Sequence, residues 1–143
     1  MSMAGEPPTS ELITLLETRG IRVALPIMKS EHTLAWGWHS AKMVRNSYGV
    51  IEPTPDESIL IDNLKVMIIP ALRAGKNGSR LGRGAGYYDR AMSLIPKHAE
   101  GGPLRVAVVF DDELDDTVAH DELDQHVDVI ATPSQFYFVA VQS

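Results

Sequence analysis

The spacing of apolar residues near the start of the chain predicts a helix followed by a strand. Between Thr9 and Gly20, apolar residues recur at the three- and four-residue spacing of an amphipathic helix. Thr9 opens a Thr-Ser-Glu run with N-cap chemistry, and Gly20 stops the pattern. Residues 21–25 include β-branched side chains and predict a strand closed by Pro26, because proline cannot continue a strand's hydrogen-bond ladder. This order is the first half of an α/β unit.

The next segment predicts one more short strand and then a connection. Residues 33–38 have the composition of a strand that places Trp36 and Trp38 on one side, where packing is the more common role of tryptophan. Residues 48–55 are rich in turn formers and predict a surface connection without regular structure.

The second half of the chain alternates apolar strands with a helix. Residues 65–69 form a nearly unbroken apolar run ended by Pro70, which is typical of a strand covered on both faces in a parallel sheet. A helix is predicted at residues 87–95, and its apolar face comprises Tyr88, Ala91, Met92 and Ile95. Further strands are predicted at residues 104–110, 127–131 and 136–141.

This alternation predicts an α/β fold in which residues 1–143 form a single domain with a mainly parallel sheet and helices on both faces. Ligands of such sheets bind at the carboxyl ends of the strands. A glycine-rich segment at residues 78–90 and an acidic segment at residues 111–128 each follow a predicted buried strand. Both segments are therefore expected at the same edge of the sheet.

Composition narrows the class of protein without assigning a function. The 143 residues are 44% hydrophobic and 22% charged, which is ordinary for a compact domain. The sequence has no cysteine, which excludes disulfides and cysteine zinc sites. It shows no basic leader and no apolar run near about 18 residues, so we expect a cytoplasmic protein that does not span a membrane. A net charge of −6 argues against a general nucleic-acid binder.

The charged residues are unevenly distributed. Five of the thirteen Lys and Arg residues lie within residues 73–90, where Asp89 is the only acid. Residues 111–128 hold nine of the nineteen acids and no Lys or Arg. Two solvated faces of opposite sign would produce this pattern, and so would an anion site beside a cation site.

The glycine-rich segment, GSRLGRGAGYYDR, combines four glycines with three arginines and an aspartate. Glycine lets a ligand approach the main chain, and arginine binds phosphate or carboxylate oxygens, so an anionic ligand is expected. The segment lacks GxxxxGK[ST] and does not fit GxGxxG, so neither common nucleotide motif applies. The N–H groups of Gly82, Gly84 and Gly86 would suit phosphate oxygens. Asp89 would suit Mg²⁺, with pairing to Arg90 as the alternative.

The string RLGRGAGYYDR resembles the signature of the 5-formyltetrahydrofolate cyclo-ligase family, also called 5,10-methenyltetrahydrofolate synthetase. Further matches run in order from about Glu6 to Thr132: VALP at 23–26, the region of Trp36, GVIEP at 49–53, IP at 69–70 and VDVI at 127–130. The resemblance implies an ATP- and Mg²⁺-dependent enzyme of one-carbon metabolism that converts 5-formyltetrahydrofolate to 5,10-methenyltetrahydrofolate, ADP and phosphate. It also implies a Rossmann-like fold similar to CoA transferases and ribose-phosphate isomerases.

The resemblance further implies roles for individual residues. Arg83 and Tyr87 match catalytic positions, and Asp89 and Asp124 match two aspartates at the magnesium ion. The ATP-binding set is Gly78, Arg80, Leu81, Gly82, Arg83, Gly84, Ala85, Gly86, Tyr87 and Tyr88. The substrate-binding set is Glu6, Trp36, Arg83, Gly84, Ala85, Gly86 and Tyr87.

The sequence departs from the family pattern at its start. Family members begin with a helical segment that carries a lysine and an arginine at the ATP phosphates, and this sequence starts near the glutamate that follows it. We therefore expect weaker nucleotide binding and exposed apolar sheet surface, with a monomer or a weak homodimer as the assembly. Two alternatives stay open: a non-catalytic folate- or nucleotide-binding relative, and a sugar-phosphate or acyl-CoA binding domain.

Overall fold

The computed structural model describes residues 7–61 and 63–140 of the chain. These residues contain two α-helices and eleven short β-strands, which confirms the predicted α/β content. They fall chiefly into two compact units, residues 8–61 and residues 63–140. No helix in the described ranges is long and apolar enough to cross a membrane.

The first unit consists of one helix and two antiparallel strand pairs. Its elements are α1 (Ser10–Thr18), β1 (Ala24–Met28), β2 (Leu34–Trp38), β3 (Met43–Arg45) and β4 (Ile51–Pro53). Strand β1 pairs with β2, and β3 pairs with β4. The predicted helix is confirmed, and Thr9 occupies its N-cap position without a side-chain cap hydrogen bond.

Pro26 lies inside β1, so the prediction that it closes the strand is wrong. The strand runs from Ala24 to Met28, and Pro26 faces Trp36 across the pair. The sheet has two strands, so β1 is an edge strand. An edge strand tolerates proline because the missing N–H can fall on its unpaired side.

The connection predicted at residues 48–55 contains a strand that the turn-forming residues concealed. Within it, Ile51–Pro53 pairs with Met43–Arg45 as β4 and β3. Glu52 of β4 is 4% exposed, and its Oε2 accepts hydrogen bonds from Met28 N and Asn46 Nδ2, both at 3.0 Å. The bond from Met28 joins β4 to the end of β1, and the bond from Asn46 joins it to the residue after β3. Both satisfy the buried carboxylate, which needs donors.

The second unit is built on a four-stranded sheet with the order β11-β10-β8-β5. Its elements are β5 (Val66–Pro70), β6 (Arg73–Gly75), β7 (Arg80–Leu81), α2 (Tyr87–Ser93), β8 (Leu104–Val108), β9 (Leu114–Asp115), β10 (Val129–Ala131) and β11 (Phe136–Phe138). Strands β5, β8 and β10 are parallel, and β11 runs antiparallel to β10. A smaller sheet, β7-β6-β9, contains the glycine-rich segment's first residues. The pairing in this unit is therefore mixed.

Strand β5 is buried on one face only, so the prediction of two covered faces is wrong for this strand. Met67 and Ile69 are 3% and 0% exposed, whereas Val66 and Ile68 are 46% and 37% exposed. Met67 pairs in register with Arg105, whose guanidinium reaches the last turn of α2, so the covered face is the one on which α2 lies. A continuous apolar run does not reveal which face a helix will cover.

Replacement of Glu52 by leucine should destabilise the first unit. Leucine cannot accept the bonds from Met28 N and Asn46 Nδ2, and each unsatisfied buried donor costs about 1–3 kcal/mol. Glu57→Leu is the matched control, because Glu57 is exposed. Urea unfolding checks the difference, and equal free energies of unfolding for the two variants would contradict the structural role of Glu52.

Candidate functional site

The glycine-rich segment begins as a β-hairpin rather than as a loop. Strands β6 and β7 pair antiparallel, and the turn between them closes through a bond from Gly75 N to Ser79 O at 2.8 Å. Asn77 Oδ1 accepts from Ser79 N and from Ser79 Oγ. Ser79 Oγ in turn accepts from Val118 N at 3.1 Å, which fixes the hairpin to the segment after β9. Ser79 is fully buried, so the hairpin is a rigid base for the residues that follow.

Gly78 holds a tight backbone contact inside this base. Its φ is +91°, and a Cβ there would lie 2.8 Å from the carbonyl oxygen of Val127. Val127 N donates to Gly78 O at 2.9 Å. Glycine is required because two backbone segments meet at this position. On the side where a Cβ would project, Gly78 has no open surface for the contact with ATP that the sequence predicts.

The segment from Gly82 to Gly86 is the open part of the motif. Gly84 and Gly86 have φ of +90° and +75°, and beyond the adjacent residues no atom would lie within 4 Å of a Cβ at either position. Between them Ala85 is exposed, and Arg83 is exposed as well. The backbone is therefore open on the Cβ side at Gly84 and Gly86, and binding of an anionic ligand by this loop stays a prediction.

Helix α2 begins directly after the loop. Gly86 is its N-cap residue in a left-handed conformation, and Tyr87, Tyr88 and Asp89 form the first turn. Both tyrosines are half-buried. Of the apolar face predicted for this helix, Met92 is fully buried. The helix ends at Ser93, two residues before the predicted end.

Arg80 and Asp89 form an ion pair at the centre of the motif. Arg80 Nη2 donates to Asp89 Oδ1 at 2.6 Å, and the two side chains are 5% and 20% exposed. The Nε of Arg80 is buried without a hydrogen-bond partner. A Cβ on Gly82 would lie 3.1 Å from Arg80 Nη1, so this glycine leaves room for the guanidinium. Arg80, which the sequence predicts to bind phosphate, thus contacts Asp89, which it predicts to bind magnesium.

The acidic segment reaches the same carboxylate. Gln125 N donates to Asp89 Oδ1 at 2.9 Å. Asp124 is the residue immediately before Gln125 in the sequence. Asp124 Oδ2 accepts from Asp121 N at 2.9 Å and closes a short turn. The structure therefore places the backbone next to Asp124 at Asp89, and joint binding of one metal ion by the two carboxylates stays a prediction. Among residues 7–61 and 63–140, no group of three or more His, Asp or Glu side chains could hold a metal ion.

Some basic residues of 73–90 form ion pairs with acidic residues of 111–128 beside the hairpin. Arg73 donates to both oxygens of Asp115 at 2.6 and 2.9 Å, and Lys76 lies 3.6 Å from Asp116. The hydrogen bond from Arg73 lowers the pKa of the Asp115 carboxyl. These exposed pairs contribute little stability, yet they hold β9 alongside β6.

Two histidines lie at the end of the acidic segment. The rings of His120 and His126 are 5.2 Å apart in an edge-on arrangement. Burial lowers the pKa of His126, with further lowering by His120 and Lys97, while Asp124 opposes the shift. His126 is therefore neutral at neutral pH, and it adds no cationic charge beside Asp124.

The sequence also predicts Glu6 and Trp36 as substrate-binding residues. Glu6 is outside the described residues. Trp36 is half-buried in β2 of the first unit, where its carbonyl accepts from Ile59 N at 2.8 Å. In the same unit, Arg22 stacks over Trp38 at 3.6 Å, and this pair helps to line a cavity of about 490 Å³.

Sequence reasoning missed the two residues that support the acidic segment. Arg105 of β8 is 2% exposed and donates through Nη2 to the carbonyls of Met92 and Ile95 at the end of α2. Its Nη1 reaches Gln125 Oε1 at 3.4 Å. An arginine inside an otherwise apolar strand was the signal, since a buried charge requires specific partners.

Comparisons with known proteins identify the family. The model of the 5-formyltetrahydrofolate cyclo-ligase family matches residues 1–133. The 5-formyltetrahydrofolate cyclo-ligase of Mycolicibacterium smegmatis is 33% identical over 141 residues, covering 93% of this chain and 71% of that protein. The enzyme of the same name from Escherichia coli K12 is 29% identical over 143 residues, covering 96% and 77%.

A solved structure agrees on the fold. The NMR structure of Aquifex aeolicus 5,10-methenyltetrahydrofolate synthetase has a TM-score of 0.78 at 22% identity and covers 100% of this chain and 71% of that one. The fold of this chain is thus similar to that of this 5,10-methenyltetrahydrofolate synthetase. The chain belongs to the 5-formyltetrahydrofolate cyclo-ligase family, which is a family of enzymes.

Two glycines of the motif should respond differently to alanine. Both Gly78 and Gly84 have positive φ, which costs an alanine about 1–2 kcal/mol. Gly78→Ala adds a clash with Val127 O, whereas Gly84→Ala meets open space. Thermal unfolding should therefore show a larger loss for Gly78→Ala, and an equal loss for both variants would contradict the packing described for Gly78.

Proposed function

We propose that this protein catalyses the ATP- and Mg²⁺-dependent conversion of 5-formyltetrahydrofolate to 5,10-methenyltetrahydrofolate, with release of ADP and phosphate. The formyl oxygen attacks the γ-phosphorus of ATP and ADP leaves. N10 of the folate then attacks the activated carbon and loses its proton, and the C–O bond breaks to release phosphate. Family membership supports this reaction, and so does the open glycine loop from residue 82 to 86 beside the Arg80–Asp89 pair, which is the observation that carries the proposal.

The reaction asks the protein chiefly to position two substrates and to neutralise charge. In the proposal the loop backbone binds the ATP phosphates, and Arg83, which is exposed in that loop, contributes positive charge where phosphate charge develops. Tyr87 is the first residue of α2, and in the proposal it contacts the folate. Arg80 is buried, so its part is to hold Asp89 rather than to reach far into solvent.

Asp89 and Asp124 are the residues that would hold magnesium. Their donor chemistry fits, because Mg²⁺ in nucleotide sites is commonly held by one or two carboxylates together with phosphates and water. A carboxylate accepts about four hydrogen bonds, so the bonds from Arg80 and Gln125 do not by themselves exhaust Asp89. When bound, the ion would neutralise the charge of the transferring phosphoryl group.

The finer features expected from the sequence belong to the same proposal. We infer a Rossmann-like arrangement for the parallel strands, one cyclo-ligase domain over residues 1–143, and a cytoplasmic location. Trp36 is proposed as a stacking surface for the pterin. The exposed apolar side chains of Val66 and Ile68 support a monomer that associates weakly with a second copy.

A direct assay tests the reaction. Protein mixed with 5-formyltetrahydrofolate and MgATP should produce the ultraviolet absorbance of the methenyl product, and omission of ATP or Mg²⁺ should abolish it. Folded protein that binds ATP or folate, seen as a raised melting temperature, without forming product would instead identify a non-catalytic relative.

Asp89→Asn should remove Mg²⁺-dependent turnover. The amide cannot match the carboxylate as a magnesium ligand, and the weaker bond to buried Arg80 should lower the free energy of unfolding by about 1–3 kcal/mol. Asp116→Asn is the control, because that side chain is 95% exposed. Turnover at saturating Mg²⁺ equal to that of the control would remove Asp89 from the metal site.

Arg83→Ala should chiefly weaken substrate binding. Charge-assisted contacts to phosphate contribute about 1.5–3 kcal/mol, so the Michaelis constant for ATP should rise at least about tenfold. Arg19→Ala, which truncates an exposed arginine at the end of α1, should leave it unchanged. Steady-state kinetics with both substrates measure the effect, and unaltered Michaelis constants in the Arg83 variant would refute its assignment.

A further inference from the structure

Three consecutive parts of the site converge on residues 125–128. Gln125 N donates to Asp89 Oδ1, Val127 N donates to Gly78 O, and Asp128 N donates to Arg105 O. The acceptors belong to α2, to the hairpin turn and to β8, respectively. This short segment therefore links α2, the hairpin and β8, and it sets where α2 and the hairpin lie relative to each other.

Arg105 binds residues 125–128 from the buried side of the second unit. Its backbone N donates to Asp128 Oδ2 at 2.8 Å, and its guanidinium extends across the covered face of the sheet to Met92 O and Ile95 O, both at 2.9 Å. Burial lowers the pKa of Arg105, while Asp128 and Glu100 oppose the shift. An arginine keeps its charge under such a shift, so the group remains a multiple donor.

Gln125 connects Arg105 to the carboxylate proposed for magnesium. Its side-chain oxygen accepts from Arg105 Nη1 at 3.4 Å, and its own backbone N–H reaches Asp89 at 2.9 Å. Asp89 lies in the first turn of α2, and the carbonyls bound by Arg105 lie at or beyond its last turn. Both ends of the helix are thus tied to the same residue pair.

We propose that Arg105 and Gln125 are positioning residues that hold the carboxylate of Asp89 in place for a divalent cation with its nucleotide. The inference rests on the proposed function, because it assigns a purpose to residues behind a proposed metal carboxylate. Groups that orient metal ligands from behind typically change metal affinity by about 10–100-fold when they are lost. Neither residue contacts the substrate in this proposal.

Mn²⁺ binding tests the inference without relying on turnover. Electron paramagnetic resonance would measure the dissociation constant of Mn²⁺ for the full chain in the presence of a non-hydrolysable ATP analogue. Gln125→Leu removes the acceptor for Arg105 at similar size, and Arg105→Lys keeps the charge but cannot reach all three acceptors. Each should raise the dissociation constant about tenfold.

Matched variants separate positioning from general damage. Gln135→Leu is the control, because Gln135 is exposed and its hydrogen bonds to Thr132 use its backbone. Gln125→Glu should restore wild-type affinity, since a carboxylate still accepts from Arg105. Circular dichroism must show each variant to be folded at the temperature of the titration. If Arg105→Lys does not fold, the comparison of Gln125→Leu with Gln125→Glu tests the positioning role.

The outcomes distinguish the inference from the function on which it rests. A wild-type affinity in folded Gln125→Leu would overturn the positioning role and leave the proposed reaction standing. A wild-type protein that binds no Mn²⁺ with the nucleotide analogue would overturn both. Weakened binding in Gln125→Leu, restored in Gln125→Glu and unchanged in Gln135→Leu, supports the inference.

Discussion

The carboxylate of Asp89 is the group on which the candidate site depends. It accepts from the guanidinium of Arg80, which belongs to the hairpin, and from the backbone of Gln125, which belongs to the acidic segment. The buried guanidinium of Arg80 and the backbone of Gln125 bind the same carboxylate oxygen, so this contact joins three elements at one point. The glycines of the motif divide accordingly: Gly78 lets two backbones meet, whereas Gly84 and Gly86 leave a surface open.

Geometry makes Asp89 both a structural partner and a candidate ligand. Its pairing with Arg80 holds the carboxylate in one orientation before any cation arrives. The same pairing offsets part of its negative charge. Phosphate groups would supply the charge that a cation needs beyond the two carboxylates, so binding of metal and nucleotide should be mutually dependent.

Sequence patterns predicted most elements and the central motif but not their tertiary partners. The strands at β5, β8 and β10 were found because apolar runs between turn formers are a strong local signal. Pro26 and the strand at Ile51–Pro53 were misjudged because edge positions relax the rules for proline. The tie between Gln125 and Asp89 joins residues 36 apart through a backbone N–H, for which no side-chain pattern exists.

The parallel pairing of β5, β8 and β10 has a consequence for how the protein reaches its folded state. Antiparallel β1 and β2 are joined by a short turn, whereas the carboxylate of Asp89 acquires its Gln125 contact only after 36 residues have been brought together. Closing such loops is entropically costly and slows folding. The candidate site is therefore expected to form late in folding. A ligand that binds it would stabilise the product of the last folding step and would not accelerate the first steps.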